Sequence, residues 1–258
     1  MIFETHCHLN DPQLINDFDD VVARAKKVGV NKMIVVGWDK ASSLLAIKMA
    51  NDYDFIYAAI GFHPCNVFDI TDQDLEELFA NFNNPKVVAL GEIGLDYHWY
   101  SDAKKKEIQK QFFIKQLSFA DKFKKPVIIH NREAFQDCLE ILKEHNPIMH
   151  GVFHCYSGSV EALKDVLELG FYIGIGGVVT FKNAIKPKEV VEKVPLDRLL
   201  VETDCPYLAP TPLRGTVNEP ANIALVIDEI ANLREESKKH ILDVIYHNSL
   251  RLFNINDD

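Results

Sequence analysis

Val87-Val88-Ala89-Leu90-Gly91-Glu92-Ile93-Gly94 is apolar at nearly every position and carries a single acid near its end. A strand with one face in water alternates polar and apolar residues. An unbroken apolar run is the mark of a strand covered on both faces, as in a parallel sheet under helices. Seven further runs of this kind lie at 2–8, 32–36, 55–61, 127–130, 151–155, 172–175 and 199–203, mostly rich in Val and Ile. Helical patterns separate and follow them, clearest at 19–28, 41–51, 72–82, 103–124, 134–144, 160–169, 188–194 and 222–231. Eight strand–helix alternations in a chain of 258 residues fit an α/β fold of the (β/α)8 TIM-barrel type better than an open, doubly wound sheet. With no linker rich in Ser, Gly or Pro and no internal repeat, a single domain over residues 1–258 is expected.

Composition sets outer limits. The chain is 47% hydrophobic and 26% charged, with a mean hydropathy of −0.07, which is ordinary for a packed globular protein. It lacks an uncharged apolar stretch of about 18 residues that would span a bilayer. Its first residues, MIFETHCHLN, carry Glu4 and two histidines where a signal peptide needs a basic start and an apolar run. The five cysteines are odd in number and form no CxxC pair. Reduced thiols and a cytoplasmic location are therefore expected, with no membrane and no obligate protein partner. The net charge of −10 argues against coating nucleic acid over the whole surface, while leaving room for a local cleft that binds phosphate.

The reactive side chains fall at one place in this pattern. His6 and His8 close the first run, and residues two apart in a strand share a face. Glu92 lies near the end of the fourth run, His130 ends the fifth, His154 is near the end of the sixth, and Asp204 follows the eighth. In a parallel barrel these ends form one rim, where barrel enzymes place their sites. A lone histidine at a strand end is more often hydrogen-bonded structure than a ligand; six matching groups at one rim argue otherwise. Imidazoles with carboxylates suit Zn²⁺, Mn²⁺, Ni²⁺ or Co²⁺ better than Ca²⁺. Six protein ligands would enclose one ion completely. Two ions about 3.5–4 Å apart, bridged by a carboxylate, would each keep open positions, which points to a binuclear hydrolytic site.

The motifs Glu4-Thr5-His6-Cys7-His8-Leu9, Gly61-Phe62-His63-Pro64, Gly91-Glu92-Ile93-Gly94-Leu95-Asp96-Tyr97, His130-Asn131-Arg132, His154-Cys155-Tyr156-Ser157-Gly158 and Glu202-Thr203-Asp204-Cys205-Pro206-Tyr207-Leu208-Ala209-Pro210 occur in this order, followed by Asn218-Glu219-Pro220. In them the chain resembles the TatD-type metal-dependent deoxyribonucleases of the amidohydrolase superfamily, over essentially its whole length. The resemblance implies two divalent cations (Zn, Mg, Mn, Ni or Co), one held by His6, His8 and Asp204, the other by His130 and His154, with Glu92 as the bridge. The family usually has Asp where this chain has Glu4, whose carboxylate is expected to orient a ligand from behind.

The implied chemistry is hydrolysis of DNA phosphodiesters, at single strands or frayed ends, with Asp204 and Glu92 as the catalytic carboxylates and Asp204 as proton acceptor. His63, Arg132 and the backbone at Ser157 are candidate phosphate contacts. Tyr97, Trp99, Tyr156 and Tyr207 are candidates for base stacking, whereas Lys104, Lys105 and Lys106 read as a solvated helix face and Cys7 and Cys205 as packing residues. The alternative is an amidohydrolase-type esterase or amidase, such as a D-aminoacyl-tRNA deacylase. A non-catalytic metal scaffold fits less well, because both carboxylates are present.

Overall fold

In the computed structural model the eight apolar runs form eight parallel strands, each bonded to its successor: β1 (Ile2–Cys7), β2 (Val30–Val36), β3 (Ile56–Ile60), β4 (Val87–Asp96), β5 (Val127–Arg132), β6 (Gly151–Phe153), β7 (Tyr172–Ile175) and β8 (Leu199–Val201). The structure describes residues 1–257; Asp258, the last residue of the expected 1–258 domain, lies outside them. Between β8 and β1 the seam is made by individual bonds. The Asp204 N–H donates to the His6 carbonyl at 2.9 Å, the His8 N–H to the Cys205 carbonyl at 2.8 Å, and the Thr5 hydroxyl to the Val201 carbonyl at 2.9 Å. These bonds bring the two edge strands together into a nearly closed (β/α)8 TIM barrel, as the sequence predicts.

The helices are α1 (Pro12–Ile15), α2 (Phe18–Lys27), α3 (Lys40–Asp52), α4 (Asp72–Phe79), α5 (Ala103–Phe123), α6 (Phe135–His145), α7 (Val160–Glu168), α8 (Ile185–Lys193), α9 (Ile223–Arg234) and α10 (Lys238–Phe253). Several starts follow capping chemistry: side chains of Asp39, Thr71 and Asp102 accept the first free N–H groups of α3, α4 and α5. The sequence reading has no counterpart for α10. Its Tyr246, Leu250, Leu252 and Phe253 pack with Phe3, Val88, Ile128 and Leu200, forming an apolar plug at the end of the barrel opposite the rim. All five cysteines are free, and Cys7 and Cys205 are fully buried packing residues. Among the described residues no helix is long and apolar enough to cross a membrane.

Four expected strand C-termini move by two residues, and all four lie at the rim. The sixth and eighth runs stop at Phe153 and Val201, short of His154 and Asp204. Cys155 (φ 43°) and Asp204 (φ 55°) adopt left-handed backbone, which takes the chain out of extended pairing just where those side chains turn over the mouth. Conversely β4 and β5 run two residues further than expected, to Asp96 and Arg132, and carry more side chains to the rim.

One buried pair of amides fixes that rim. Gln109 and Gln116 stand two turns apart on α5, on one face. Gln109 accepts from the Asp96 N–H at 2.9 Å and donates to its carbonyl at 3.0 Å; Gln116 does the same to Phe62, at 2.9 and 3.0 Å. Both backbone groups of Asp96, and both of the residue before His63, are thereby satisfied without a strand partner.

Candidate metal centre

His6, His8, Glu92, His130, His154 and Asp204 come together in the mouth of the barrel. Around Nε2 of His6 lie Nε2 of His8 at 3.3 Å, Oε2 of Glu92 at 3.5 Å and Oδ1 of Asp204 at 3.6 Å. Nε2 of His8 lies 4.0 Å from the same Glu92 oxygen and 3.4 Å from Asp204. An ion with bonds of about 2.1 Å to four tetrahedral ligands requires ligand-to-ligand edges of about 3.4 Å. This half of the cluster therefore has the dimensions of a cation cage. The ring of His8 is set for the task, because its Nδ1 donates to the Val36 carbonyl at 3.0 Å and leaves Nε2 with a lone pair.

The other oxygen of Glu92 faces a second group. Oε1 lies 2.7 Å from Nδ1 of His130 and 2.8 Å from Nε2 of His154. The His6 and His154 rings stack with centroids 4.0 Å apart, so the two halves adjoin. Three trios drawn from His6, His8, His63, Glu92, His130, His154 and Glu202 bring their donor atoms close enough to hold an ion, namely His6–His8–Glu92, His63–Glu92–His130 and His6–His154–Glu202.

The electrostatics follow from these neighbours. Burial disfavours charge on every member, but the partners decide the outcome. Burial raises the Glu92 carboxyl, yet His154 and His130 outweigh it and hold the group well below the usual carboxylate range. Burial lowers His154, yet Glu92 and Glu202 push it well above the ordinary value, and Asp96 with Glu92 does likewise for His130. His8 is raised mainly by Asp204, against its burial. His6 is lowered by burial and by His154.

His63 belongs to a different category. Burial, with His130 beside it, drives its pKa down to about 3, so it is neutral. Its Nδ1 accepts the Cys65 N–H at 3.1 Å, which places the ring proton on Nε2, 3.8 Å from Oε1 of Glu92. An Nε2 that carries a proton is a hydrogen-bond donor and not a metal ligand.

Two carboxylates that the sequence reading left without a role stand behind the cluster. Asp96, nearly fully buried, meets Nε2 of His130 at 3.0 Å. Glu202, fully buried, lies 3.7 Å from Nδ1 of His154 and accepts the Cys155 N–H. Period-two alternation was the available signal, since Asp96 follows Glu92 by four residues and Glu202 precedes Asp204 by two. Glu4 instead accepts the N–H groups of His6 (3.1 Å) and Thr203 (3.0 Å), so it fastens the β8–β1 seam through backbone rather than through a ligand ring.

A cleft of about 640 Å³ opens above the cluster, with His63, Arg132, Ser157, Trp38, Trp99 and Tyr207 among its walls. Arg132 and Ser157 are exposed there. The cap of α7 is Ser159, whose side chain accepts from the Ala162 N–H, so Ser157 precedes the cap by two residues. Of the four aromatic candidates, Tyr156 is buried and donates its hydroxyl to the Ser159 carbonyl, and Tyr97 is bound to Asp137 at 2.6 Å outside the cleft. Trp99 and Tyr207 remain, 66% and 51% exposed. Lys105 and Lys106 do not form a purely solvated face: their ammonium groups lie over Tyr100 at 4.8 Å and Tyr97 at 4.3 Å.

The histidine–carboxylate cluster lies at the C-terminal mouth of a parallel barrel, where barrel enzymes place their sites. The family model described as TatD related DNase matches residues 3–254, and the chain belongs to that family. A Bacillus subtilis protein named uncharacterized metal-dependent hydrolase YabD is 46% identical over 99% of this chain and 100% of its own length. Among solved structures, the TatD homolog YjjV from Escherichia coli K12 superimposes with a TM-score of 0.93 at 34% identity, covering 99% of this chain and 98% of that one. A hydrolase TatD family protein from Entamoeba histolytica gives 0.87 at 26% identity, over 98% and 97%.

Proposed function

We propose that the protein is a metal-dependent hydrolase that cleaves phosphodiester bonds of DNA, acting on single strands or frayed ends with two divalent cations (Zn, Mg, Mn, Ni or Co). The observation that carries this reading is the division of Glu92, with Oε2 turned toward His6 and His8 and Oε1 toward His130 and His154. In this assignment His6, His8 and Asp204 would hold one ion and His130 and His154 the other, with Glu92 available to both. When bound, such a pair acidifies water and neutralises charge on the phosphoryl and leaving oxygens.

The remaining work falls to the chain's own groups. Asp204 takes the proton of the attacking water. Burial raises its carboxyl, but His8, His154 and His6 outweigh burial and keep it ionised, as a proton acceptor must be. His63 donates from Nε2, and Arg132 from its flat guanidinium, to phosphate oxygens. Ser157 offers a further polar contact at the wall. The net charge of −10 disfavours long tracking on duplex, which is why ends and single strands are the assigned substrate. A cytoplasmic location belongs to the same reading, and the five free thiols support it.

The test is to offer end-labelled DNA, RNA and a D-aminoacyl-tRNA with Mg²⁺ or Mn²⁺. Release of nucleotides from DNA, abolished in His130→Ala and Asp204→Asn, is the expected result. Cleavage of the aminoacyl ester without nucleotide release would make the protein an amidohydrolase-type deacylase instead.

A further inference from the structure

Trp38 and Trp99 are the two tryptophans of the chain, and both line the cleft. They are not equivalent. Trp38 is half-buried with its ring edge-on to His8 at 5.3 Å, so it is packed into the metal cluster. Tyr207 also meets His8 edge-on, at 6.2 Å, and its hydroxyl is held by Asp11 at 3.2 Å. Trp99 has no such packing role, since 66% of its surface is exposed. Its exposed indole lines the cleft, where it offers a flat apolar face to whatever enters.

Yet Trp99 is held in a fixed relation to the cluster. The backbone N–H of Trp99 donates to Oδ1 of Asp96 at 3.0 Å, and Oδ2 of the same carboxylate meets His130 at 3.0 Å. The adjacent His98 lies edge-on to the indole at 4.8 Å and bonds Glu133 at 2.7 Å, tying the loop after β4 to the loop after β5. The Arg132 guanidinium sits 5.5 Å from the Trp99 ring centre. An exposed aromatic face, backed by a guanidinium and anchored two bonds from a candidate ligand, is the construction that stacks a nucleobase while a cation meets its phosphate.

We infer that Trp99 is the stacking platform for one unpaired nucleobase beside the reacting phosphodiester, with Arg132 buttressing the indole and meeting the adjoining phosphate. The inference rests on the phosphodiesterase reading and adds its selectivity: in a duplex both faces of an internal base are covered by its neighbours, so the platform accepts only single strands or frayed ends.

The test uses the metal-loaded full chain with a Trp38→Phe substitution, which leaves Trp99 as its one indole. A short single-stranded phosphorothioate oligodeoxynucleotide should quench Trp99 emission, and the same strand with abasic terminal residues should bind about 5- to 100-fold more weakly. Trp99→Ala, read by anisotropy of a labelled strand, should lose this difference and bind both strands alike, and Trp99→Phe should recover most of it. Emission that ignores the strand, or a Trp99→Ala variant that still distinguishes base from abasic residue, would overturn the platform. Cleavage of ordinary DNA in parallel separates the two readings. Wild-type cleavage with an unaltered Trp99→Ala variant removes the platform alone. Base-dependent quenching with no cleavage by the wild type removes the nuclease alone.

Discussion

Oδ2 of Asp96 lies 3.0 Å from Nε2 of His130, and the other ring nitrogen of that histidine lies 2.7 Å from Glu92. The imidazole is thus held at both ends by carboxylates, and one of them is itself locked by Gln109 through its backbone. Partners of this kind typically change metal affinity by about 10- to 100-fold when removed. Asp96→Asn is accordingly expected to weaken the second ion by about that factor and leave the first ion unaffected. Metal titration by calorimetry resolves the two steps, and equal weakening of both would contradict the assignment.

Gly94 stands beside the same histidine with φ at 140°, and a Cβ built on it would lie 2.0 Å from the His130 carbonyl oxygen. Neither the backbone conformation nor the space admits a side chain. Gly94→Ala should destabilise the fold by about 3 kcal/mol or more. Urea unfolding measures this, and a loss under about 1 kcal/mol would show that β4 and β5 can move apart freely.

Gln116 spans the wall of the barrel to the Phe62 backbone, the residue before His63. Gln116→Leu keeps the size of the side chain but strands a buried N–H and a buried carbonyl, at about 1–3 kcal/mol for each. The expected result is a loss of about 2–5 kcal/mol in denaturant unfolding. Unchanged stability would mean that these groups find other partners.

The metal-free cluster holds protons that cations must displace. His154 and His130 have raised values and Glu92 a lowered one. A histidine raised in the folded state stabilises fully below its unfolded value, about 6.5, and that contribution is lost as pH rises through the folded value. The lowered Glu92 contributes above its unfolded value and loses its contribution as pH falls through the folded one. The metal-free protein should therefore lose stability from the histidines toward alkaline pH, while metal affinity rises with pH as protons are released. Melting temperatures with and without EDTA across about pH 5.5–9 test both signs. A metal-dependent increment in Tm that shrinks as pH rises would contradict the proton count.

The barrel was legible in the sequence because a parallel strand buried on both faces leaves an apolar run, as at 127–130 and 172–175. The clustering of the six rim residues was legible for the same reason, since a strand's C-terminal end has only one place to be. Asp96 and Glu202 stayed unassigned because a carboxylate behind a ligand has the same sequence signature as one on the surface. Gln109 and Gln116 were hidden more deeply, because amides on a long helix ordinarily face water and only their burial reveals that they replace a strand partner. Tyr156 misled as an aromatic in a loop: its ring belongs to the core, packed near Phe135 and Phe153. The plug helix α10 lay outside the strand–helix count that defined the barrel.

The most direct measurement is anomalous scattering from crystals soaked in Mn²⁺. Two peaks about 3.5–4 Å apart are expected on either side of the Glu92 carboxylate, one within reach of His6, His8 and Asp204 and the other of His130 and His154. A single peak, or a pair not shared by Glu92, would contradict the binuclear centre on which the proposed hydrolysis depends.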